Sequence, residues 1–224
     1  MPHAIVAAGT GRYSDPWHPF LATSRLIAGA LEADGWTVTL DHDLDHALAH
    51  LEEADLLVVN AGDPWRNGET GRGAPDASAV GLRAAIDRGI GLFAVHNAVS
   101  TLRDYPDWRA TIGGEWIEGR SFHPEISDAT VRIVARHPIT ERLTTDRSSS
   151  FTLFDERYTD LEVDPDVTVL AVHEHEGQTH PLLWTHDHGR TRAVVSALGH
   201  DERSFASPEH LGLLGHAARW AAHI

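Results

Sequence analysis

The chain has 224 residues and a formal net charge of −15. Its 18 basic residues are all Arg, so it contains no Lys, and it also contains no Cys. The missing Cys excludes disulfides, thiolate nucleophiles and zinc–thiolate sites, and the missing Lys excludes Schiff-base and pyridoxal-phosphate chemistry. The acidic balance, without a basic stripe, argues against nucleic-acid binding and leaves chemistry to hydroxyls, carboxylates, the 17 His or a metal.

The first half of the chain alternates short apolar runs with amphipathic segments. Four apolar runs predict strands at 3–9, 36–40, 55–60 and 90–95. Helical spacing of apolar residues predicts helices at 24–35, 43–54 and 76–89. Repeated strand–helix alternation predicts an α/β fold with a mostly parallel sheet and helices on both faces.

The second half changes to short strand-like runs separated by Pro, Asp or Gly. These runs predict strands at 129–135, 156–163, 166–175, 180–187 and 190–199. The segment HDHGRTR at 186–192 predicts a hairpin turn, and a final helix is predicted after Ser207, with Pro208 at its first position. This half therefore adds antiparallel strands to the sheet.

The length fits one domain, and we expect residues 1–224 to form it. No apolar run approaches about 20 residues, the length of a membrane span, and the first apolar run lacks a basic leader. We therefore expect a cytoplasmic protein without a membrane partner. The sequence leaves open whether the chain forms a homo-oligomer.

Two strand ends carry a His followed by a polar residue. The strand at 90–95 ends in His96-Asn97, and the late strand at 190–199 ends in His200-Asp201. Ligands of open parallel sheets bind beyond the carboxyl ends of the strands, so we expect His96 and His200 to face one cavity. The alternative for His96-Asn97 is capping of a following helix, which is compatible with a site.

Two further segments hold candidate residues. GGEWIEGRSFHP at 113–124 is either a loop anchored by aromatic side chains or a segment that carries His123 over the cleft. FDERYTD at 154–160 holds the adjacent carboxylates Asp155 and Glu156, a pair of a kind that is usually solvated.

Other His residues have metal-binding spacing but favour a simpler interpretation. The segment 173–188 is rich in His on alternating strand positions, and His46 and His50 lie four residues apart on a predicted helix. We interpret both groups as solvated surface.

Several motifs occur in order along residues 3–224, namely GLFAVHNAVSTL, YPDWRATIGGEW, DERYT and HPLLWTHDHGRTRAVVSALGHD. Together they resemble the trehalose-utilisation ThuA-like family, which is related to class I glutamine amidotransferases. The resemblance implies a flavodoxin-like, doubly wound sheet with a site in the turn after 90–95. In amidotransferases that turn carries a Cys nucleophile, so here the resemblance does not imply glutamine hydrolysis.

The resemblance also implies a role in the breakdown of trehalose and related sugars, through 3-keto-glycosides that a partner sugar dehydrogenase produces. The recurrent polar residues of the family correspond here to His96, His123, Asp155, Glu156, Trp184 and His200. The family often has His-Ser where this chain has His96-Asn97, so a hydroxyl at that point is not implied.

We therefore predict acid–base chemistry on a keto-sugar, because an imidazole near its ordinary pKa can donate or accept a proton. The predicted catalytic residues are His96, Glu156 and His200. The predicted substrate-binding residues are Asn97, His123, Asp155 and Trp184, with the Trp184 ring as an apolar platform for a pyranose.

Two alternatives stay open. One is a hydrolase whose divalent metal, such as Zn²⁺, is held by His96, His123 and His200 together with Glu156. The other is a sugar-binding module without catalysis.

Overall fold

The computed structural model describes residues 1–67, 73–141, 143 and 149–224. Its helices are α1 (Phe20–Ala33), α2 (Leu44–Ala49), α3 (Asp76–Arg88), α4 (Trp108–Ile112) and α5 (Pro208–Ala221). Its strands are β1 (His3–Ala8), β2 (Thr37–Asp41), β3 (Leu56–Asn60), β4 (Gly91–Val95), β5 (Gly114–Glu115), β6 (Ser127–Ile133), β7 (Ser150–Asp155), β8 (Glu162–Val163), β9 (Thr168–His175), β10 (Gln178–His188) and β11 (Thr191–Ser196).

Nine strands form one sheet in the order β2-β1-β3-β4-β11-β10-β9-β6-β7, and β5 pairs with β8 in a small second sheet. The first five strands of that order are mutually parallel, and each later strand is antiparallel to its neighbour. Because the direction alternates across the last four strands, β9 and β7 run in the same direction as the parallel block. The predicted α/β class with a large, mostly parallel sheet is confirmed.

The order of the parallel strands determines on which face of the sheet each connecting helix lies. β2 and β3 lie on opposite sides of β1, so right-handed crossovers carry α1 and α2 to opposite faces of the sheet. Accordingly α1 packs against β1 and α5, whereas α2 packs against α3. None of the helices in the described part of the chain is long and apolar enough to cross a membrane.

Helix ends agree with the sequence signals at two positions. The Ser207 hydroxyl accepts the backbone N–H of His210, and Pro208 is the first residue of α5, as predicted. α3 ends at Gly89, whose φ of +94° is the left-handed conformation that glycine adopts without strain.

The strand predicted at 156–163 is wrong. The strand is β7, which ends at Asp155. Within the predicted range, Glu162–Val163 forms a short strand and Thr159 forms an isolated bridge with Phe122. Phe151 and Leu153 alternate with exposed neighbours in β7 and bury the face that packs on the core. After Asp155 the chain leaves the sheet, because the Asp155 carboxylate accepts hydrogen bonds from the 199–204 loop.

The β6–β7 hairpin bends back across the carboxyl edge of the sheet. β6 pairs with β7 from Ser127 to Arg132 but is paired with β9 only at Arg132 and Ile133. Although β10, β9 and β6 lie between β7 and β11, Asp155 at the end of β7 contacts the backbone that follows β11. This bend positions the candidate site.

A half-buried ionic cluster joins the loops after β1 and β4 to α2. Asp45 accepts hydrogen bonds from the Arg12 guanidinium at 3.1 Å and from the hydroxyls of Tyr13 and Tyr105, both at 2.6 Å. Burial would raise the pKa of Asp45, but these donors outweigh burial and hold its pKa below the ordinary value.

We expect Asp45→Asn to lower the free energy of unfolding by about 2 kcal/mol near neutral pH, because charge-assisted hydrogen bonds are lost. A folded-state pKa below the unfolded one stabilises the fold above about pH 4, and this contribution disappears as the pH falls further. Urea unfolding at about pH 7, 5 and 3.5 should therefore show a difference from wild type that shrinks only at the lowest value. The control is Asp87→Asn at an exposed position of α3; an equal loss in both variants would contradict the assignment.

Candidate functional site

A pocket of about 340 Å³ opens at the carboxyl edge of the sheet. Four polar side chains line it, namely His18, His123, Glu156 and His200. Three aromatic side chains form the rest of its wall, namely Trp17, Trp116 and Tyr158. Concave sites with apolar walls and a few convergent polar groups are typical of small-molecule binding.

Glu156 is the centre of the polar part. Its Oε2 atom lies 3.3 Å from His200 Nδ1 and 3.5 Å from His96 Nε2, and its Oε1 atom lies 3.5 Å from His123 Nδ1. His96 is buried behind the pocket wall, and its ring centroid lies 5.5 Å from that of His200. The structure therefore brings together the three residues predicted as catalytic, with His123 at the rim.

The surroundings of Glu156 and His200 shift their pKa values in opposite directions. Burial would raise the pKa of Glu156, but the neighbouring His200 and His96 outweigh burial and hold it well below its usual range. Burial lowers the pKa of His200, but the adjacent Glu156 more than compensates, so the net shift is upward. The pair is thus arranged as a carboxylate beside an imidazole that binds a proton readily.

His96 lies in a strained turn at the end of β4. Its φ is +48°, in the left-handed region that residues with a side chain rarely adopt. Its Nδ1 atom bonds to the backbone oxygen of Ala197 at 2.9 Å, and because a carbonyl only accepts, Nδ1 carries the proton. The residues that follow form a single 3₁₀ turn, His96–Val99, rather than the α-helix that a capping role would require.

Asp155 has a different role from the predicted one. It is fully buried and accepts hydrogen bonds from the backbone N–H groups of Gly199 at 2.7 Å and His200 at 3.1 Å, and from the Ser204 hydroxyl at 2.6 Å. Its oxygens face the 199–204 loop, and the structure does not place Asp155 among the side chains that line the pocket. It positions His200 and, through the adjacent residue, Glu156.

Trp184 and Asn97 are also displaced from their predicted roles. Trp184 has no exposed surface, and its Nε1 donates to the oxygen of Ile112 at 2.9 Å, so its ring cannot be a platform for a sugar. Asn97 is buried beside the pocket, accepts the Ser100 hydroxyl at 2.5 Å and reaches Asp15 at 3.4 Å. Both side chains belong to the packing beneath the site.

His18 belongs to the site although the sequence patterns above did not indicate it. Its Nδ1 lies 2.7 Å from Asp15 Oδ2, and its ring centroid lies 4.8 Å from that of His200 and 5.1 Å from that of His96. Burial lowers the pKa of His18 and this effect exceeds the opposing effect of Asp15. The available signal was the segment DPWHP after the first strand, at the same carboxyl edge.

The other His-rich segments divide into two groups. His46 and His50 are exposed on α2, which confirms that interpretation. His173 and His186 are buried instead of solvated, because their ring nitrogens donate to the backbone oxygens of Tyr158 and Thr111, each at 2.9 Å. The bond from His173 fixes the backbone at Tyr158, whose ring lines the pocket, and the bond from His186 fixes the backbone of α4.

The model of the ThuA family, described as trehalose utilisation, matches residues 6–221. The chain belongs to the ThuA family. This membership supports a carbohydrate-related role for the chain. A comparison with curated proteins finds no match.

Solved structures with a similar fold include other ThuA-like proteins. One from Parabacteroides merdae is 16% identical, with a TM-score of 0.79 over 99% of this chain and 90% of that one. A second, from Bacteroides uniformis, is 16% identical, with a TM-score of 0.74 over 98% and 91%. A β-galactosidase from Rahnella sp. R3 is 14% identical, with a TM-score of 0.64 over 96% of this chain and 31% of the enzyme. At these identities the likeness of this ThuA member to them concerns the fold alone.

We expect Asp155→Asn to lower the free energy of unfolding by about 2–4 kcal/mol, because the amide keeps one acceptor oxygen for four donors, namely the backbone N–H groups of Glu156, Gly199 and His200 and the Ser204 hydroxyl. Urea unfolding measures the loss. The matched control is Asp128→Asn on the paired strand β6, which is exposed and should change stability by less than about 0.5 kcal/mol. Equal stability of the two variants would contradict the positioning role.

Proposed function

We propose that this ThuA member is an enzyme that acts on a small carbohydrate, of the trehalose or 3-keto-glycoside type, in the pocket around Glu156. The observation that carries the proposal is one buried carboxylate in contact with His96, His123 and His200 beside an aromatic-walled pocket. Membership of a trehalose-utilisation family supports the substrate class. The strand order supports a flavodoxin-like, doubly wound scaffold, whose ligands bind at this edge.

The proposed chemistry is proton transfer on a keto-sugar. A ketone acidifies the neighbouring C–H, so a base removes that proton while an acid protonates the oxygen on which negative charge develops. His96 is the proposed base, because its Nδ1 donates to the oxygen of Ala197 and leaves the lone pair on Nε2. This atom lies behind the pocket wall, 3.5 Å from Glu156 Oε2, so it would take the proton through that carboxylate. His200 supplies the acid, with Glu156 stabilising its charged form. A partner sugar dehydrogenase would supply the 3-keto substrate.

The aromatic wall takes over the platform role that the sequence suggested for Trp184. Trp17 is 60% exposed at the mouth of the pocket, and Trp116 packs edge-on against Tyr158 with ring centroids 4.8 Å apart. The apolar face of a pyranose stacks on such rings, while its hydroxyls reach the imidazoles. These rings therefore support a neutral sugar as ligand.

We expect Glu156→Gln and His200→Asn each to reduce kcat on 3-keto-trehalose or a 3-keto-glucoside by about 100-fold or more, because each removes a group of the proton-transfer pair. Both should remain folded by circular dichroism. The control is His46→Asn on the exposed surface of α2, with unchanged kcat. Turnover at the wild-type rate in both site variants would overturn the mechanism, and thermal stabilisation by sugars without turnover in the wild type would favour a binding module.

We expect Trp17→Ala to raise KM by about 2–10-fold with little change in kcat, because an aromatic stacking contact contributes about 0.5–1.5 kcal/mol. Since Trp17 is largely exposed, the substitution should leave the fold intact. Phe122→Ala is the control, an exposed aromatic residue that is not among the pocket-lining side chains. Equal effects of the two substitutions on KM would contradict the stacking role.

A further inference from the structure

We infer that His18, His96, Glu156 and His200 form a binding site for one divalent transition-metal ion. The inference rests on the proposed function for its catalytic meaning, but the binding site itself is argued from geometry alone. Each of the four residues offers one ligand atom, and these atoms all lie within 4.8 Å of one another. The predicted metal ligands were His96, His123 and His200 together with Glu156, so the geometry replaces His123 by His18 and keeps the other three.

Two of the six distances between the four ligand atoms match those around a tetrahedral metal ion, and all six are within 4.8 Å. Metal–nitrogen and metal–oxygen bonds of about 2.1 Å place neighbouring ligands of a tetrahedral ion about 3.4 Å apart. Glu156 Oε2 lies 3.5 Å from His96 Nε2 and 3.3 Å from His200 Nδ1. These contacts are longer than good hydrogen bonds between the same atoms, and they match the edge of a coordination polyhedron.

The outward hydrogen bonds fix which ring nitrogens face the centre. The Nδ1–H group of His18 donates a hydrogen bond to Asp15, and the Nδ1–H group of His96 donates one to the oxygen of Ala197. The Nε2 atom of each neutral ring therefore carries a lone pair. In the part of the chain that the structure describes, His18 Nε2, His96 Nε2 and His200 Nδ1 are buried without a hydrogen-bond partner.

Lone pairs that face a buried carboxylate are unfavourable unless a cation lies between them. A His whose second nitrogen donates to a carboxylate or a backbone carbonyl is also the usual arrangement of a metal ligand, since that bond fixes the tautomer and the ring. Asp15 is thus the positioning residue of His18, and the oxygen of Ala197 has the same function for His96.

The donor set selects the class of ion. Three imidazoles and one carboxylate favour Zn²⁺, Co²⁺, Ni²⁺ or Fe²⁺, whereas Mg²⁺ and Ca²⁺ prefer oxygen ligands alone. His18, Glu156 and His200 also line the pocket, so a sugar carbonyl or hydroxyl can reach the same point. A metal there would polarise that oxygen in place of the His200 acid. Because the ligand nitrogens of His96 and His200 would then no longer exchange protons, His123, outside the ligand set, would act as the base.

The test uses the full chain, purified without a His-tag and stripped with a chelator. Isothermal titration with Zn²⁺ and the absorption spectrum with Co²⁺ should reveal one tight equivalent per chain, with d–d bands of a nitrogen and oxygen site. His18→Gln and His96→Gln should each lose this equivalent. Because the chain has 17 His, the matched control is the double variant His46→Gln/His50→Gln, which removes an exposed pair and should keep the tight site.

The positioning residue gives a readout that does not depend on deleting a ligand. Asp15→Asn should weaken Zn²⁺ binding by about 10–100-fold while circular dichroism stays unchanged. Absence of a tight equivalent in the wild type, or its loss in the His46/His50 variant with retention in His18→Gln, would overturn the metal site. If the metal site is overturned, turnover that is insensitive to the chelator leaves the proposed function standing. If one metal binds and no keto-sugar is turned over, the function alone is overturned.

Discussion

The site depends on one buried carboxylate. Asp155 ends β7 and accepts hydrogen bonds from the 199–204 loop after β11, although three strands separate β7 and β11 in the sheet. Hydrogen bonds to a charged group are strong when water is excluded, and an unpaired buried charge is costly, so the two segments stay together. This contact brings Glu156 to His96 and His200.

Strand direction determines where the functional groups gather. The parallel block and β7 all end at one edge of the sheet, so β1, β4, β7 and β11 deliver their following loops to the same place. At the end of β4 the backbone of His96 is strained, with φ of +48°. Strain of this kind persists where the surrounding structure determines it, and it is common at functional sites.

Contacts on the side away from Glu156 fix the orientation of the imidazoles. Asp15 fixes His18, a backbone oxygen fixes His96, and the Asp155 network fixes the backbone of His200, so each ring presents one nitrogen towards Glu156. Held in this way, the cluster can stabilise a proton or a metal ion without rearrangement, which is the condition for effective catalysis. The fold alone does not specify the reaction, because the same scaffold occurs within a β-galactosidase chain.

The sequence by itself determined the order of the strands and helices in the first half, because hydrophobic periodicity is local. It also indicated His96 and His200, because strand ends in a parallel sheet share one edge. Only the tertiary structure decided which of two adjacent carboxylates faces the pocket, since that depends on the bend of the β6–β7 hairpin. The same holds for Trp184, which became core, and His18, which joined the site: both outcomes depend on contacts between segments far apart in the chain, and no local pattern encodes them.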